Sequence, residues 1–336
     1  MRLPRFEYKR PDTLDETLEL LSRYVDDAKI LAGGTDLLVR MKKGLLAPKV
    51  LVSLKTLNEL SYIEKDKDRI RIGAKTSLAD LVASDLIKRH APALLQACEK
   101  IGAVTIQHYR GTIGGNLLQD NRCHHYNQSA FHRSGRQACH KDGGKICYAR
   151  DEADRCNSTC QSDGATALMA LNAQIVLISK QGERKVALEN FYTNDGIMVF
   201  AMASHELVKE IVVPMNGNHS AYSRIAYRSA IDYPIACAGV SLNISGKASD
   251  EIESARIVVG AMGRTPLFMG GASSSLAGKK LTDAPAFSKA AKSAMDSAAT
   301  FAVHNVGSTL SYRCEMVAHL VETALKNAAD IEEVII

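Results

Sequence analysis

Five of the eight cysteines, Cys123, Cys139, Cys147, Cys156 and Cys160, fall in one stretch, residues 112–168, together with four of the ten histidines, His124, His125, His132 and His140. Thiolates and imidazoles gathered in this way bind metals. No apolar period of 3.6 or 2 runs across the stretch, so it reads as a long loop. A loop of that length inside a compact chain is functional or disordered, and disordered segments are poor in cysteine. A metal or a cluster is therefore expected to tie it down. The first four cysteines are separated by steps of 16, 8 and 9 residues. Zinc ribbons bring thiolates in close pairs, and the only such pair here is the loose Cys156-x3-Cys160. Wide spacing suits a cluster, and four thiolates suit iron and sulfide. Arg122, Arg133, Arg136, Lys141, Lys145, Arg150 and Arg155 outnumber the loop's acids and would offset the negative charge of such a group. A zinc-stapled loop, with His124 or His140 as a ligand, fits the spacing as well, and both readings stand at this point.

The stretch opens on Thr112-Ile113-Gly114-Gly115-Asn116 and closes on Asp163-Gly164-Ala165-Thr166-Ala167-Leu168. An earlier run, Gly33-Gly34-Thr35-Asp36, follows the apolar segment 28–32 and precedes Leu37, Leu38 and Met41 at helical spacing. Strand, Gly-Gly turn and helix can cradle a phosphate, because glycine lets backbone N–H groups approach it closely. Either turn alone is as well explained as a tight turn capped by Thr35 or Asp36. Two such turns, the second with no helix-periodic run directly after it, suggest loops converging on one extended anionic ligand, such as a dinucleotide.

The elements that must position these groups follow from periodicity. Thr13-x-x-Glu16 has the form of a capping box ahead of a helix over 14–24. Strands are expected at 28–32, 49–54 and 69–74, and helices at 78–82 and 93–101. Beyond the cysteine loop come a helix at 165–171, a strand at 174–179, a turn at 181–183 with its partner strand 184–188, and a strand at 207–213. Met215-Asn216-Gly217-Asn218-His219 is polar and turn-rich and marks a domain boundary. After it, strands at 221–228, 237–244 and 254–262 precede helices at 284–302 and 308–327, which makes an α+β unit of antiparallel strands and helices. Cys98, Cys237 and Cys314 sit in apolar surroundings and read as core residues.

At 336 residues the chain has room for two or three domains. A net charge of +5 spread without a basic stripe argues against nucleic acid. No apolar run is long enough for a bilayer, and the N-terminus lacks the apolar core of a signal peptide. A cytoplasmic protein is expected, in which disulfides are rare.

Several motifs resemble one family. Leu31-Ala32-Gly33-Gly34-Thr35-Asp36-Leu37 and Thr112-Ile113-Gly114-Gly115-Asn116 are similar to the two FAD-pyrophosphate loops of the flavoprotein subunit in the xanthine dehydrogenase family. Asp163 with Ala165, Ala167 and Leu168 resembles that family's Asp-x-Ala-Pro-Ala-Leu segment, with Thr166 in place of the proline. The tail around Gly307-Ser308, Tyr312-Arg313 and Leu320 resembles its C-terminal helix. Most members pass from the Gly-Gly-Asn turn to the Asp segment in about ten residues; here the cysteine loop intervenes. Gln119-Asp120-x-Arg122-Cys123, Tyr126-Asn127-Gln128-Ser129, Arg133-Ser134-Gly135 and Asp154-Arg155-Cys156 resemble the insert of one branch, the β subunits of 4-hydroxybenzoyl-CoA reductases, where it carries a 4Fe–4S cluster.

The resemblance implies an α+β fold: an FAD-binding domain of two α/β subdomains, 1–56 and 57–215, with a cluster-binding insert at 120–162, then a C-terminal domain over 219–330. It implies Cys123, Cys139, Cys147 and Cys156 as cluster ligands and leaves Cys160 outside the set. FAD contacts are implied from the two Gly-Gly runs, from Gln119, from Asp163 on the ribose or adenine side, and from Arg224, which stands where a lysine is common. The implied protein is an electron-transfer subunit without an acid, base or nucleophile for the substrate. It would work beside a large molybdenum-cofactor subunit and a small 2Fe–2S subunit in a dimer of heterotrimers. Electrons would arrive from a ferredoxin-like donor, and 4-hydroxybenzoyl-CoA would be reduced at the molybdenum. The alternatives are the FAD subunit of a molybdenum hydroxylase that passes electrons to NAD or a quinone, and a zinc-stapled nucleotide-binding regulator.

Overall fold

The computed structural model describes residues 2–216, 219–244 and 250–329. Its strands form three sheets, one after another along the chain. β1 (Glu7–Lys9), β2 (Ala28–Leu31) and β3 (Val50–Ser53) make a small parallel sheet with β3 in the middle. The helix Leu14–Tyr24 covers it, burying Leu18 and Leu21 against Val50, Val52 and Leu54. Half of its capping box forms as expected: Thr13 Oγ1 accepts from the Glu16 N–H, while the Glu16 carboxylate takes the Asp12 N–H, one residue before the cap, at 2.9 Å.

β4 (Ile63–Asp66), β5 (Arg69–Gly73), β6 (Gln174–Ser179), β7 (Gly182–Ala187) and β8 (Leu207–Pro214) form an antiparallel sheet in the order β4-β5-β8-β6-β7. The cysteine loop leaves the chain between β5 and β6. β9 (Ser220–Ile225), β10 (Ala236–Ile244), β11 (Ile252–Gly260) and β12 (Leu267–Phe268) form a second antiparallel sheet. Helices Ala284–Ala299 and Leu310–Ala329 pack their apolar faces on it, through Phe287, Ala291, Val317 and Val321. The α+β reading therefore holds.

The helix Asp163–Ala170 is the hub. All eight of its residues are buried, and it packs against the helix Pro92–Lys100 as well as β10 and β11. Thr166, the residue at the family's proline position, lies against Gly239 and Gly260. A Cβ on Gly239 would meet the Thr166 carbonyl at 2.9 Å. Its hydroxyl donates to the Ser162 carbonyl at 3.2 Å, which gives the buried O–H a partner.

Several local expectations change. The second Gly-Gly run is itself a short helix, Ile113–Leu117, capped by Thr112 Oγ1 on the Gly115 N–H; five residues are too few to show a period. Neither Thr35 nor Asp36 caps the helix Leu37–Lys42 with its side chain, since the Asp36 carboxylate turns to other partners. β1, β4 and the helix Asp85–His90 were not expected. β4 carries an almost wholly exposed pattern, Ile-Glu-Lys-Asp, that does not alternate. Cys98 and Cys237 are buried as expected, but Cys314 is half-buried at the edge of the core. Of the boundary run 215–219, Gly217 and Asn218 lie outside the described residues, as does Asp330 at the expected end of the last domain.

Candidate functional site: a two-loop cleft beside a cysteine loop

The two Gly-Gly runs meet. A Cβ on Gly33 would lie 1.5 Å from the Arg110 carbonyl oxygen, and one on Gly114 would lie 2.8 Å from that of Ala74. These two glycines are needed for backbone to cross backbone. Gly34 has φ +73°, a left-handed conformation that favours glycine. Between the loops runs a cleft of about 590 Å³, within the range of cofactor sites, roughly 300–1,000 Å³. Ala32, Gly33, Gly34, Thr35, Asp36, Leu37, Thr112, Gly114, Gly115, Asn116, Gln119 and Asp163 all line it. Leu31 does not: it packs under Gly34 beside Leu38. Arg224 is also off the wall, directly behind Asp163.

The acids of the cleft are paired with cations. Asp163 meets Arg224 at 3.0 Å and the Tyr222 hydroxyl at 2.6 Å, with both members of the ion pair about 5% exposed. Burial pushes the Asp163 carboxyl up, and Arg224 and Tyr222 pull it back. Asp36 faces Arg40 at 3.7 Å, Asp120 faces Arg40 at 2.9 Å, Asp232 faces Arg228 at 3.3 Å, and Glu206 holds Arg184 through both oxygens. A wall neutralised in this way accepts an anionic dinucleotide without bringing free carboxylates against its phosphates. Buried donors also lack a partner in the protein: Gln119 Nε2 and Arg40 Nε on the wall, and Arg224 Nη2 behind it. Such orphans are costly unless a ligand or water meets them. The residues present therefore fit FAD. Residues beyond the sequence reading also line the cleft, among them Gln107, Ile197, Met198 and Tyr233, the last stacked under Arg122 at 3.9 Å. They come from three segments far apart in the chain and share no period that a linear reading could detect.

The cysteine loop is closed at its neck by paired hydrogen bonds, Arg122 N–H to the Thr159 carbonyl and the reverse, both 2.8 Å. Asn121 donates to the carbonyls of Ser158 and Arg264. Asn305 donates to the Asn157 carbonyl at 2.9 Å and to Thr159 Oγ1, and its own carbonyl accepts from the His124 N–H. Cys123 and Cys156 lie on the two sides of this neck. Cys139 and Cys147 flank a tight turn in which Cys139 pairs with Ile146 and the Gly144 N–H donates to the Cys139 carbonyl at 2.8 Å. Gly143 takes φ +85°, and a Cβ on Gly144 would lie 1.8 Å from the Ala138 carbonyl.

Cys123 and Cys156 are electrostatic neighbours, and Cys123 also feels Cys147, while Cys156 feels Cys139. Donors point at the sulfurs. The Ser158 N–H reaches Cys156 Sγ at 3.4 Å and Asn157 Nδ2 reaches Cys147 Sγ at 3.6 Å, while the Tyr126 N–H donates to the Cys123 carbonyl at 3.0 Å. Among the described residues, no three His, Cys, Asp or Glu side chains converge closely enough to hold one metal ion. Cys160 is elsewhere: it is buried in the main core near Asp163 and Tyr192. Burial pushes its thiol up to about 12. His140 Nε2 donates to the Ala153 carbonyl and His125 Nε2 to the His304 carbonyl, so both rings contact backbone.

Converging glycine loops over a neutralised cleft define a dinucleotide-binding protein. Comparison with known families narrows this: residues 4–216 match the FAD-binding domain of molybdopterin dehydrogenases, and 221–328 match the CO dehydrogenase flavoprotein C-terminal domain. The chain belongs to this family of molybdopterin dehydrogenase flavoproteins. It is 28% identical over 281 residues to the nicotinate dehydrogenase FAD-subunit of Eubacterium barkeri, covering 82% of this chain and 81% of that one. It is 27% identical to the carbon monoxide dehydrogenase medium chain of Hydrogenophaga pseudoflava, covering 97% of each. The solved structure of reconstituted CO dehydrogenase from Oligotropha carboxidovorans superposes with a TM-score of 0.78 at 27% identity, covering 98% of this chain and 99% of that one. Among the described residues, no helix is long and apolar enough to cross a membrane.

Proposed function

We propose that this chain is the FAD-carrying electron-transfer subunit of a molybdenum hydroxylase-type complex, working beside a large molybdenum-cofactor subunit and a small 2Fe–2S subunit. The observation that carries it is the meeting of both Gly-Gly runs on one cleft whose acids are paired and whose wall keeps unpartnered donors. The family relatives, a nicotinate dehydrogenase and CO dehydrogenases, favour electrons leaving the substrate, through FAD, to NAD or a quinone. FAD, when bound, exchanges electrons in ones or pairs and so joins one-electron clusters to a two-electron reaction. The protein's own part is to bind and orient it: backbone of 33–36 and 112–116 at the pyrophosphate, Gln119 and Arg40 as donors, and the Asp163–Arg224 pair as a fixed, neutral support. The units 1–56, 57–215 and 219–330 are taken as its domains. Membership in a flavoprotein family replaces the zinc-stapled regulator as an account of the whole chain.

A specific observation favours a second, narrower reading. Cys123, Cys139, Cys147 and Cys156 share one loop closed at the 122–159 neck, with N–H donors aimed at the sulfurs of Cys147 and Cys156. That supports a 4Fe–4S cluster held by these four thiolates. A cluster here would serve as an electron inlet from a ferredoxin-like donor. Flow would then run toward the molybdenum, as in the reduction of 4-hydroxybenzoyl-CoA by two electrons and two protons to benzoyl-CoA and water, in a cytoplasmic dimer of heterotrimers. Anaerobic purification of the complex, with assay of flavin, iron, zinc and acid-labile sulfide, tests both readings. One FAD per chain with four irons and four sulfides beyond those of the small subunit supports the inlet. FAD without those irons leaves the hydroxylase subunit and removes the cluster. Absence of FAD sinks both.

A further inference from the structure

The cysteine loop and the flavin cleft are joined by one buried ammonium. Lys141, two residues after Cys139, is 6% exposed. Its Nζ donates to Asp120 Oδ1 at 2.8 Å, to the Gly196 carbonyl at 2.8 Å, to the Asn121 carbonyl at 3.0 Å and to Ser158 Oγ at 3.3 Å. An ammonium has three protons, so four acceptors saturate it. Those acceptors come from three segments: the exit of the second glycine run at 120–121, the residue that hydrogen-bonds Cys156, and the loop whose Ile197 and Met198 line the cleft. The last contact is close. A Cβ on Gly196 would lie 2.7 Å from Cys156 Sγ, so the residue next to the cleft-lining Ile197 lies directly against a cysteine of the loop.

From Asp120 the charges continue into the cleft. Its second oxygen faces Arg40 at 2.9 Å, and Arg40 faces Asp36 at 3.7 Å. Cation and anion alternate from beside Cys156 to the first glycine run. The two ends are therefore not independent: displacing Lys141 leaves Asp120 with Arg40 alone and leaves the Gly196 carbonyl held only by Ser158 Oγ, at 2.9 Å. Nothing in the binding of a dinucleotide requires this link, since the loop already has a closed neck.

We propose that Lys141 is a positioning residue that couples the two sites, so that filling the cysteine site tightens flavin binding and flavin binding orders the cysteine loop. The iron arm of this coupling rests on the cluster reading above. By reciprocity, flavin binding must tighten retention of whatever fills the cysteine site by the same factor. Arginine should not replace Lys141, because a planar fork does not fit four acceptors around one point.

The test uses the whole complex. FAD release and rebinding are followed by flavin fluorescence, with the loop iron-loaded or stripped by an iron chelator, in wild type, K141M and K141R. In parallel, protease cleavage within 136–146 is timed with and without FAD. Wild type should bind FAD about 5- to 150-fold more tightly when loaded, and FAD should slow cleavage of its loop. K141M should bind FAD equally in both states and show no protection. K141R should resemble K141M. An unchanged loaded-to-stripped ratio in K141M overturns the proposal. If wild type carries no iron on this loop, the cluster reading fails by itself, and the protease arm decides the coupling: no protection by FAD in wild type, or equal protection in K141M, overturns it.

Discussion

Gly33 and Arg110 hold the flavin cleft together. A Cβ on Gly33 would stand 1.5 Å from the Arg110 carbonyl oxygen, and the following Gly111 carbonyl accepts from the Leu78 N–H. The glycine is there so that the first run can lie on the second, before any ligand arrives. Gly33→Ala must therefore push the runs apart. It should cost about 2–3 kcal/mol, at the upper end of overpacking, and should abolish FAD retention. Gly115→Ala is the control, since its Cβ would meet only the Thr112 hydroxyl, at 3.0 Å. Denaturant melts and flavin content of the two variants check this; equal flavin loss in both would assign the glycines to the ligand instead.

The Asp163–Arg224 pair supports a second expectation. Both side chains are about 5% exposed, and Arg224 keeps one nitrogen without a partner. Asp163→Asn leaves a buried guanidinium uncompensated and should destabilise by roughly 3–5 kcal/mol. Arg224→Lys keeps the charge at lysine's reach and should cost less than half of that. Chemical unfolding of both variants separates charge from shape: equal losses would mean that the fork geometry, and not the charge, holds Asp163.

How far the sequence foretold this arrangement depends on the range of the interaction. Thr13 and Glu16 cap a helix within four residues, and that was legible. The glycine runs were legible as a pair because each is local, although the reason for Gly33 is a carbonyl 77 positions away. The four cysteines were legible as a set. The groups that place them, Asn121, Lys141, Gly196 and Asn305, were not, because each acts on partners distant in sequence through hydrogen bonds or close contacts that leave no period. β4 was missed for another reason: its side chains are mostly exposed, so only backbone pairing with β5 makes it a strand.

Acid stability should depend on Glu206. Its carboxylate takes Arg184 through both oxygens and the Ala203 N–H at 2.7 Å, and the Arg184 hydrogen bonds, chief among the causes, hold its pKa below the usual glutamate value. A carboxyl depressed in the folded state adds stability above its unfolded pKa, and that stability is lost as pH falls through the folded value. Since Arg184 is half-exposed, Glu206→Gln should cost only about 1 kcal/mol at neutral pH. The difference from wild type should shrink in acid. Melting temperatures of both from pH 7 to 3 test it, and a gap that widens with acid would refute the pairing as its source.

The cysteines give the last contrast. Cys139 flanks the turn beside Cys147, whereas Cys160 is buried in the core with Tyr192 and Asp163 near it. Under the cluster reading, Cys139→Ser should lose iron and sulfide yet carry a full FAD at saturating flavin, because its loop closes at the 122–159 neck and does not line the cleft itself. Cys160→Ser should keep every iron and instead lose about 1–3 kcal/mol, the cost of a hydroxyl placed in an apolar core without a partner. Metal analysis beside a denaturant melt separates the two. Iron lost from Cys160→Ser would move the ligand set toward the core, and flavin lost from Cys139→Ser at saturation would make the loop part of the flavin scaffold.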